Sequence, residues 1–317
     1  QKGAKTPQDQ LDVQSKFDAI SRILSVPIDM ICSHHDDIYR KPLPGMWEFL
    51  YHARWKNLPI TLTSENCLYI GDAAGREQSG TRKKDFSDTD YKLSLNLGIQ
   101  FATPEKYFLN STQKLHNIFP KPVNLLLQYL KSEDESHSRW DEGIFTPSSP
   151  NEIILLVAPP ASGKSTLARE FVRRGYHRIN QDELKDANAC LRVARSLLSK
   201  AASEDAKGIV VDNTNLNPTA RSAWLKLAQE FHVKIRCIIL KTPKDICMLL
   251  SAFRLVDPST LPEDRRKIET VVFHKFFKDP VFPRVEEGYE RIDTIEWSPV
   301  LPHTSPLSKR LFSMYVR

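Results

Sequence analysis

The stretch Glu152-Ile-Ile-Leu-Leu-Val-Ala158-Pro-Pro-Ala161-Ser162-Gly163-Lys164-Ser165-Thr166 sets the reading of the whole chain. After the leading Glu comes a short apolar run of the length expected for a strand buried on both faces. Two prolines then stop the strand. From Lys164 to Arg174 the apolar residues recur at helical spacing. A strand, a tight loop and a helix in that order leave the backbone N–H groups of the helix start free to hold an anion.

This is the context of the P-loop pattern GxxxxGK[ST], with Ala158 where the first glycine stands. Ser162, Gly163, Lys164, Ser165 and Thr166 are therefore the candidate phosphate contacts. Lys164 would reach the β/γ-phosphates of ATP, and the Ser165 hydroxyl would hold Mg²⁺. The bland alternative is a helix start that happens to read GKST. It needs strand, loop and helix to coincide by chance. The motif selects a nucleoside triphosphate and leaves the reaction open.

Outward from this stretch, Gly208–Asp212 and Lys234–Leu240 also read as strands, with helical patterns at about 183–203 and 218–231. Strand and helix in alternation predict βαβ units around a parallel sheet. Ligands of such sheets bind beyond the carboxyl ends of the strands. The run ending at Ile179 leads into Asn180-Gln181-Asp182-Glu183-Leu184-Lys185. A carboxylate here can take a proton from an acceptor hydroxyl, and Lys185, three residues on, can share its helical face and bind an anionic group. The competing role for Asp182 is a simple helix N-cap. The next strand ends in Asp212-Asn213-Thr214-Asn215-Leu216-Asn217-Pro218, with Arg221 following. Asp212 sits where an acidic residue can act on Mg²⁺ through water; turn chemistry is its alternative.

GKST at 163–166, Asn180-Gln-Asp182 and DNTNLNP at 212–218, followed by Arg221 and Trp224, give residues 151–317 a resemblance to the 5′-kinase domain of polynucleotide kinases. The resemblance implies Asp182 as general base for a 5′-hydroxyl. It puts Lys185, Asp212, Asn213 and Arg221 on the acceptor side and makes Arg254 a lid arginine that clamps the donor phosphates. Gln181 stands where many relatives have Arg.

In the first third, Lys41 precedes Pro42 on a loop, and Asp72 follows the short apolar run Cys67–Gly71. With KKDFSDTD downstream, this order resembles the haloacid-dehalogenase-type phosphatase domain of the eukaryotic bifunctional polynucleotide kinase 3′-phosphatases. By that resemblance Lys41 binds phosphate and Asp72 ligates Mg²⁺. Asp85, together with Asp90, fills the motif's second acidic positions. The DxDG[TV] segment that carries the nucleophile of such phosphatases is absent, and Gln1 looks like the last residue of the TNQ motif that follows it. The expectation is a protein longer at its N-terminus, with these 317 residues lacking phosphatase activity and leaving a gap in the core and unpaired sheet edges.

The fold expected is α/β in two domains: a haloacid-dehalogenase-like Rossmannoid sheet over 1–112, then a P-loop kinase parallel sheet over 151–317. A connection over 113–150, rich in charge, Ser and Pro, joins them and includes a short helix near Val123–Leu130. Ile28–Cys32 reads as a further buried strand. Trp297–Arg317, with three close prolines, should run over the kinase domain.

Composition agrees. Hydrophobic residues at 40% and charged residues at 26% are globular values. Residues 1–150 carry 18 Lys/Arg against 19 Asp/Glu, and residues 151–317 carry 27 against 20. The basic surplus thus lies in the half that should grip ATP and a polyanionic acceptor. No apolar run approaches the ~20 residues of a membrane helix. Five scattered cysteines without a CxxC pair argue against a disulfide scaffold or zinc ribbon and for a reducing compartment. His34-His35-Asp36-Asp37 reads as a polar loop, Arg82-Lys83-Lys84 as a solvated or nucleic-acid-facing patch, and Trp47, Trp55 and Trp224 as packing residues.

The function expected is ATP-dependent phosphorylation of 5′-hydroxyl ends of DNA or RNA, coupled to a 3′-phosphatase, in nuclear DNA repair by resemblance. Two rivals come from other classes. One is a small-molecule P-loop kinase of the shikimate or gluconate kind. The other is a nucleic-acid end-binding scaffold with an inactive phosphatase half.

Overall fold

The computed structural model describes residues 6–35, 37–59, 61–111, 115, 140–200, 207–256, 268–297, 310–311 and 313–316. The expected helix near 123–130 lies outside them. The chain forms two compact units. Described residues up to 115, with 252–256 and 310–316, belong to the first. Those from 140 to 251, with 268–297, belong to the second.

The second unit is a five-stranded, all-parallel sheet of order β4-β5-β3-β6-β7. Its strands are β3 (Glu152–Val157), β4 (His177–Ile179), β5 (Gly208–Val211), β6 (Lys234–Lys241) and β7 (Arg291–Glu296). Every residue of β3 is buried. Ile153, Leu155 and Val157 face one layer, packed with Cys190, Ala194 and Leu198 from one helix and Trp224 and Leu227 from another. Ile154, Leu156 and Ala158 face the other layer, with Leu167, Ala168 and Phe171. This period-two alternation on a strand covered on both sides is why the sequence reads as one apolar run.

The covering helices are α5 (Lys164–Arg173), α6 (Gln181–Leu184), α7 (Ala187–Lys200) and α8 (Pro218–Glu230). α8 begins with Pro218 in the first turn, where no N–H is needed, and Asn217 caps it by accepting from Thr219 N. Gly208 pairs with Glu152 across β5 and β3, at φ 122°. A Cβ there would stand 2.0 Å from Glu152 O, so only glycine fits. Helices α9 (Lys244–Val256) and α10 (Thr270–Lys278) follow β6.

The first unit is smaller in regular structure. Its strands β1 (Leu68–Ile70) and β2 (Gln100–Ala102) pair in parallel, Tyr69 opposite Phe101. Among the described residues β1 pairs with β2 alone, and Leu68 and Ile70 stay exposed. The helices are α1 (Pro7–Ile23), α2 (Gly45–Ala53), α3 (Thr89–Leu97) and α4 (Pro104–Leu109). α1 has a full capping box between Thr6 and Asp9 yet buries none of its residues.

Two expectations are corrected here. Ile28–Cys32 forms no strand: among the described residues no strand pairs with it, and Met30 is exposed. The described end of the tail packs on the first unit instead of the kinase sheet. Asn96 presents its side-chain amide as a peptide group would, donating to Tyr315 O and accepting from Tyr315 N at 2.8 Å each. Leu311 and Val316 are buried beside it.

Candidate active site

The strand ends β3, β4 and β5 lie side by side, and the loops leaving them build one site. Ala161 and Gly163 hold left-handed φ values of 58° and 94° in the turn before α5. Helix α5 has no side-chain cap, and Thr166 N donates back to Gly163 O at 2.9 Å. Thr242 Oγ1 donates to Ser162 O and fixes the loop from the β6 side. Ala158, in the place of the motif's first glycine, is buried and donates through its N–H to Thr214 O. Asn215 Nδ2 donates to Leu156 O. The Asp212–Asn217 loop is thereby laced to the strand that feeds the phosphate loop.

Asp212 is fully buried in its side chain. Its Oδ2 accepts from Arg178 Nε at 2.9 Å and NH2 at 2.6 Å, and from Asn180 Nδ2 at 3.2 Å. Its Oδ1 accepts no hydrogen bond. The ammonium of Lys164 stands 3.8 Å from that oxygen, beyond hydrogen-bond reach. Burial works against the Arg178 charge, but Asp212 outweighs it and the guanidinium is held above its ordinary pKa.

Helix α6 is a single turn, and Asn180 is its N-cap, accepting from Asp182 N at 2.8 Å and Glu183 N at 3.2 Å. The capping alternative for Asp182 therefore falls to Asn180. The Asp182 carboxyl is exposed on the first turn. Asn213 Oδ1 accepts from Gln181 N at 2.8 Å, tying α6 to the end of β5. Lys185 lies past the helix as its C-cap, with φ 63°, and is exposed. The expectation of one helical face for both residues is corrected: the helix ends before Lys185.

Arg221 leaves the acceptor set. It is 0% exposed, and its guanidinium is consumed by Glu287 and by the carbonyls of Leu216 and Val281. It braces the DNTNLNP loop from below. Trp224 is core, as expected. Arg254 is half-buried on the last turn of α9. Cys247, packed beside Ala161, is no nucleophile, because burial pushes its thiol up to about 12.

In the first unit, Lys41 Nζ bonds Asp90 Oδ1 at 2.5 Å, and Tyr69 Oη donates to the same oxygen at 3.1 Å. Ala73 N donates to Asp90 Oδ2 at 3.1 Å. Gly71 makes room: a Cβ there would lie 2.5 Å from the Asp90 carboxylate. Burial lowers the Lys41 pKa, but Asp90 and Tyr69 reverse it and the net shift is upward. Asp85 is engaged elsewhere. Its Oδ2 accepts from Arg76 Nε at 2.8 Å and from the N–H groups of Ala74 and Arg76, and its Oδ1 accepts from Arg76 and Arg82. That carboxylate offers no free edge to an ion, so the reading of Asp85 as a metal ligand is replaced by a structural clamp. Asp72 is exposed and stands apart: among the described residues no three His, Cys, Asp or Glu side chains group around an ion-sized space. Trp47 and Trp55 pack edge to face at 5.2 Å.

Comparison with known proteins follows the same division. Residues 1–108 match the family described as polynucleotide kinase 3 phosphatase, and residues 153–265 match the family described as AAA domain. A bifunctional polynucleotide phosphatase/kinase of Schizosaccharomyces pombe is 33% identical over 286 residues, covering 89% of this chain and 63% of that protein. A putative bifunctional polynucleotide phosphatase/kinase of Acanthamoeba polyphaga mimivirus is 31% identical over 281 residues, covering 82% of this chain and 62% of that protein. Over most of its length the chain is thus similar to proteins described as bifunctional polynucleotide phosphatase/kinases. It spans somewhat less than two thirds of the length of these two proteins. A polynucleotide 3′-phosphatase of Arabidopsis thaliana is 42% identical over 77 residues, 24% of this chain and 10% of that protein.

Two residues of the site escaped sequence reasoning. Arg178 lies in a strand, where a charged residue reads as surface, and only the sheet order brings it against Asp212. Asn180 was visible as part of the Asn-Gln-Asp triplet. Asn is a preferred N-cap, and that preference could have assigned the role.

Proposed function

We propose that the second unit transfers the γ-phosphoryl group of ATP to the 5′-hydroxyl of a nucleic acid. The observation that carries this reading is the shared position of Lys164, the orphaned Asp212 Oδ1 and the turn of Asp182 at adjacent strand ends of one parallel sheet. In this reading the first turn of α5 and Lys164 hold the donor phosphates. Asp182 accepts the proton of the attacking hydroxyl. Lys185 and Asn213 flank the acceptor. Mg²⁺ fits the residues present: the Ser165 hydroxyl can ligate it, and buried Asp212 Oδ1 can accept from its water shell. Bound there, it supplies charge neutralisation to the phosphates.

For the first unit we propose a 3′-phosphatase role of haloacid-dehalogenase type, in which Lys41 binds the phosphate. The support is the Lys41–Asp90–Tyr69 lock, which holds the ammonium in one place. Asp72 alone does not make an ion site, and no metal-assisted step is derived for this unit. The setting in nuclear DNA repair rests on the sequence resemblance.

Incubation with γ-labelled ATP and 5′-hydroxyl oligonucleotides tests the kinase reading. Label should appear on the oligonucleotide, with a KM that rises steeply with salt, as expected for a polyanionic acceptor. Label on gluconate or shikimate with none on the oligonucleotide would replace it with a small-molecule kinase.

A further inference from the structure

We propose that Arg178 is a positioning residue that keeps Lys164 available to the nucleotide by occupying Asp212. The inference rests on the kinase reading above. A fully buried carboxylate needs a cationic partner. Two cations are within reach of Asp212, one on each oxygen. Arg178 holds Oδ2 through two nitrogens at 2.6 and 2.9 Å, while Lys164 stays 3.8 Å from Oδ1. Two charge-assisted hydrogen bonds to one oxygen are stronger than an ammonium standing 3.8 Å from the other, so the competition goes to Arg178.

The arrangement is itself secured from outside. Arg178 NH1 pairs with Glu183 on α6, and Asn180 adds a third bond to Oδ2. Arg178 thus links the strand end of Asp212 to the helical turn of Asp182. Without its charge, Asp212 has one remaining cation to recruit, and that is the ammonium meant for the donor phosphates. The two residues would close from a loose 3.8 Å ion pair to a hydrogen-bonded one, and ATP would have to break it on entry.

The test measures ATP affinity in excess EDTA, so that neither turnover nor Mg²⁺ enters the readout. The variants are Arg178→Gln, which keeps a donor to Asp212 but removes the charge, Arg178→Lys, Asp212→Asn, and the Arg178→Gln/Asp212→Asn double variant. R178Q should weaken ATP binding about tenfold, the order of a close charge-pair coupling. R178K should recover most of the loss. D212N alone should change affinity less than about twofold, because Arg178 already neutralises Asp212. In the R178Q background D212N should restore affinity, a non-additivity that marks direct coupling.

Unchanged affinity in R178Q, or the same fold-effect of D212N in both backgrounds, overturns the inference. If R178Q melts below the assay temperature, rescue by D212N to a folded, ATP-binding chain supports the charge coupling. Instability that D212N does not relieve contradicts it. A wild-type chain that binds no ATP overturns the kinase reading together with the inference, whereas normal wild-type binding without coupling overturns the inference alone.

Discussion

Lys164 Nζ stands 3.8 Å from Asp212 Oδ1, an oxygen with no hydrogen-bond donor of its own. Lys164 is therefore in a loose ion pair with Asp212 and is not hydrogen-bonded to that oxygen. Lys164→Ala should weaken ATP binding and turnover together. One charge-assisted contact is worth about 1.5–3 kcal/mol, so a loss of affinity of roughly 10- to 150-fold is expected by nucleotide titration.

Asn180 reaches two elements at once. Its Oδ1 caps α6, and its Nδ2 donates to Asp212 O at 2.8 Å. Asn180→Ala should cost about 1 kcal/mol from the lost cap. It should also lower kcat with little change in ATP affinity, because the turn that carries Asp182 loosens while the phosphate loop does not. Steady-state kinetics beside an ATP titration separate the two effects.

Glu152 and Arg236 form a fully buried, bidentate pair at 2.9 and 3.0 Å, to which Tyr176 Oη adds a 2.6 Å bond. It begins β3, at the opposite end of that strand from the phosphate loop. Arg236→Met leaves a carboxylate buried without its cation and should destabilise the second unit by about 3–5 kcal/mol in urea unfolding. The Arg236→Met/Glu152→Gln double variant should regain a large part of that loss.

Asp85 carries a pH dependence. Burial by itself would raise its carboxyl, but the bonds from Arg76 prevail and hold it below its ordinary value of 3.8. A depressed folded-state pKa gives stability that is present above the unfolded value and lost as pH falls through the folded one. The first unit should lose stability as pH drops below about 4. Asp85→Asn should be less stable near neutrality and show a flatter acid limb. Melting temperature against pH gives both slopes.

The kinase sheet was legible because its signals are local. Ile153–Val157 is apolar at every position, GKST opens a helix, and the strand and helix runs alternate at regular spacing. The places of Lys164 and Asp182 just past strand ends were legible for the same reason. Partners supplied by another strand were not. Arg221 was expected on the acceptor side and Arg178 and Arg236 carried no local signal, yet Arg221 and Arg236 are wholly buried and all three find carboxylates 34 to 84 residues away. Ile28–Cys32 shows the converse limit: an apolar run becomes a strand only when a neighbour can take its backbone bonds.

In the proposed kinase reaction the exposed carboxylate of Asp182 takes the proton of a 5′-hydroxyl. Asp182→Asn leaves the Asn180 cap intact and should keep ATP affinity and melting temperature. Transfer of labelled γ-phosphate to a 5′-hydroxyl oligonucleotide, measured as single-turnover rate for wild type and variant, should fall about 10²- to 10⁴-fold. An equal rate in the two proteins would contradict the account.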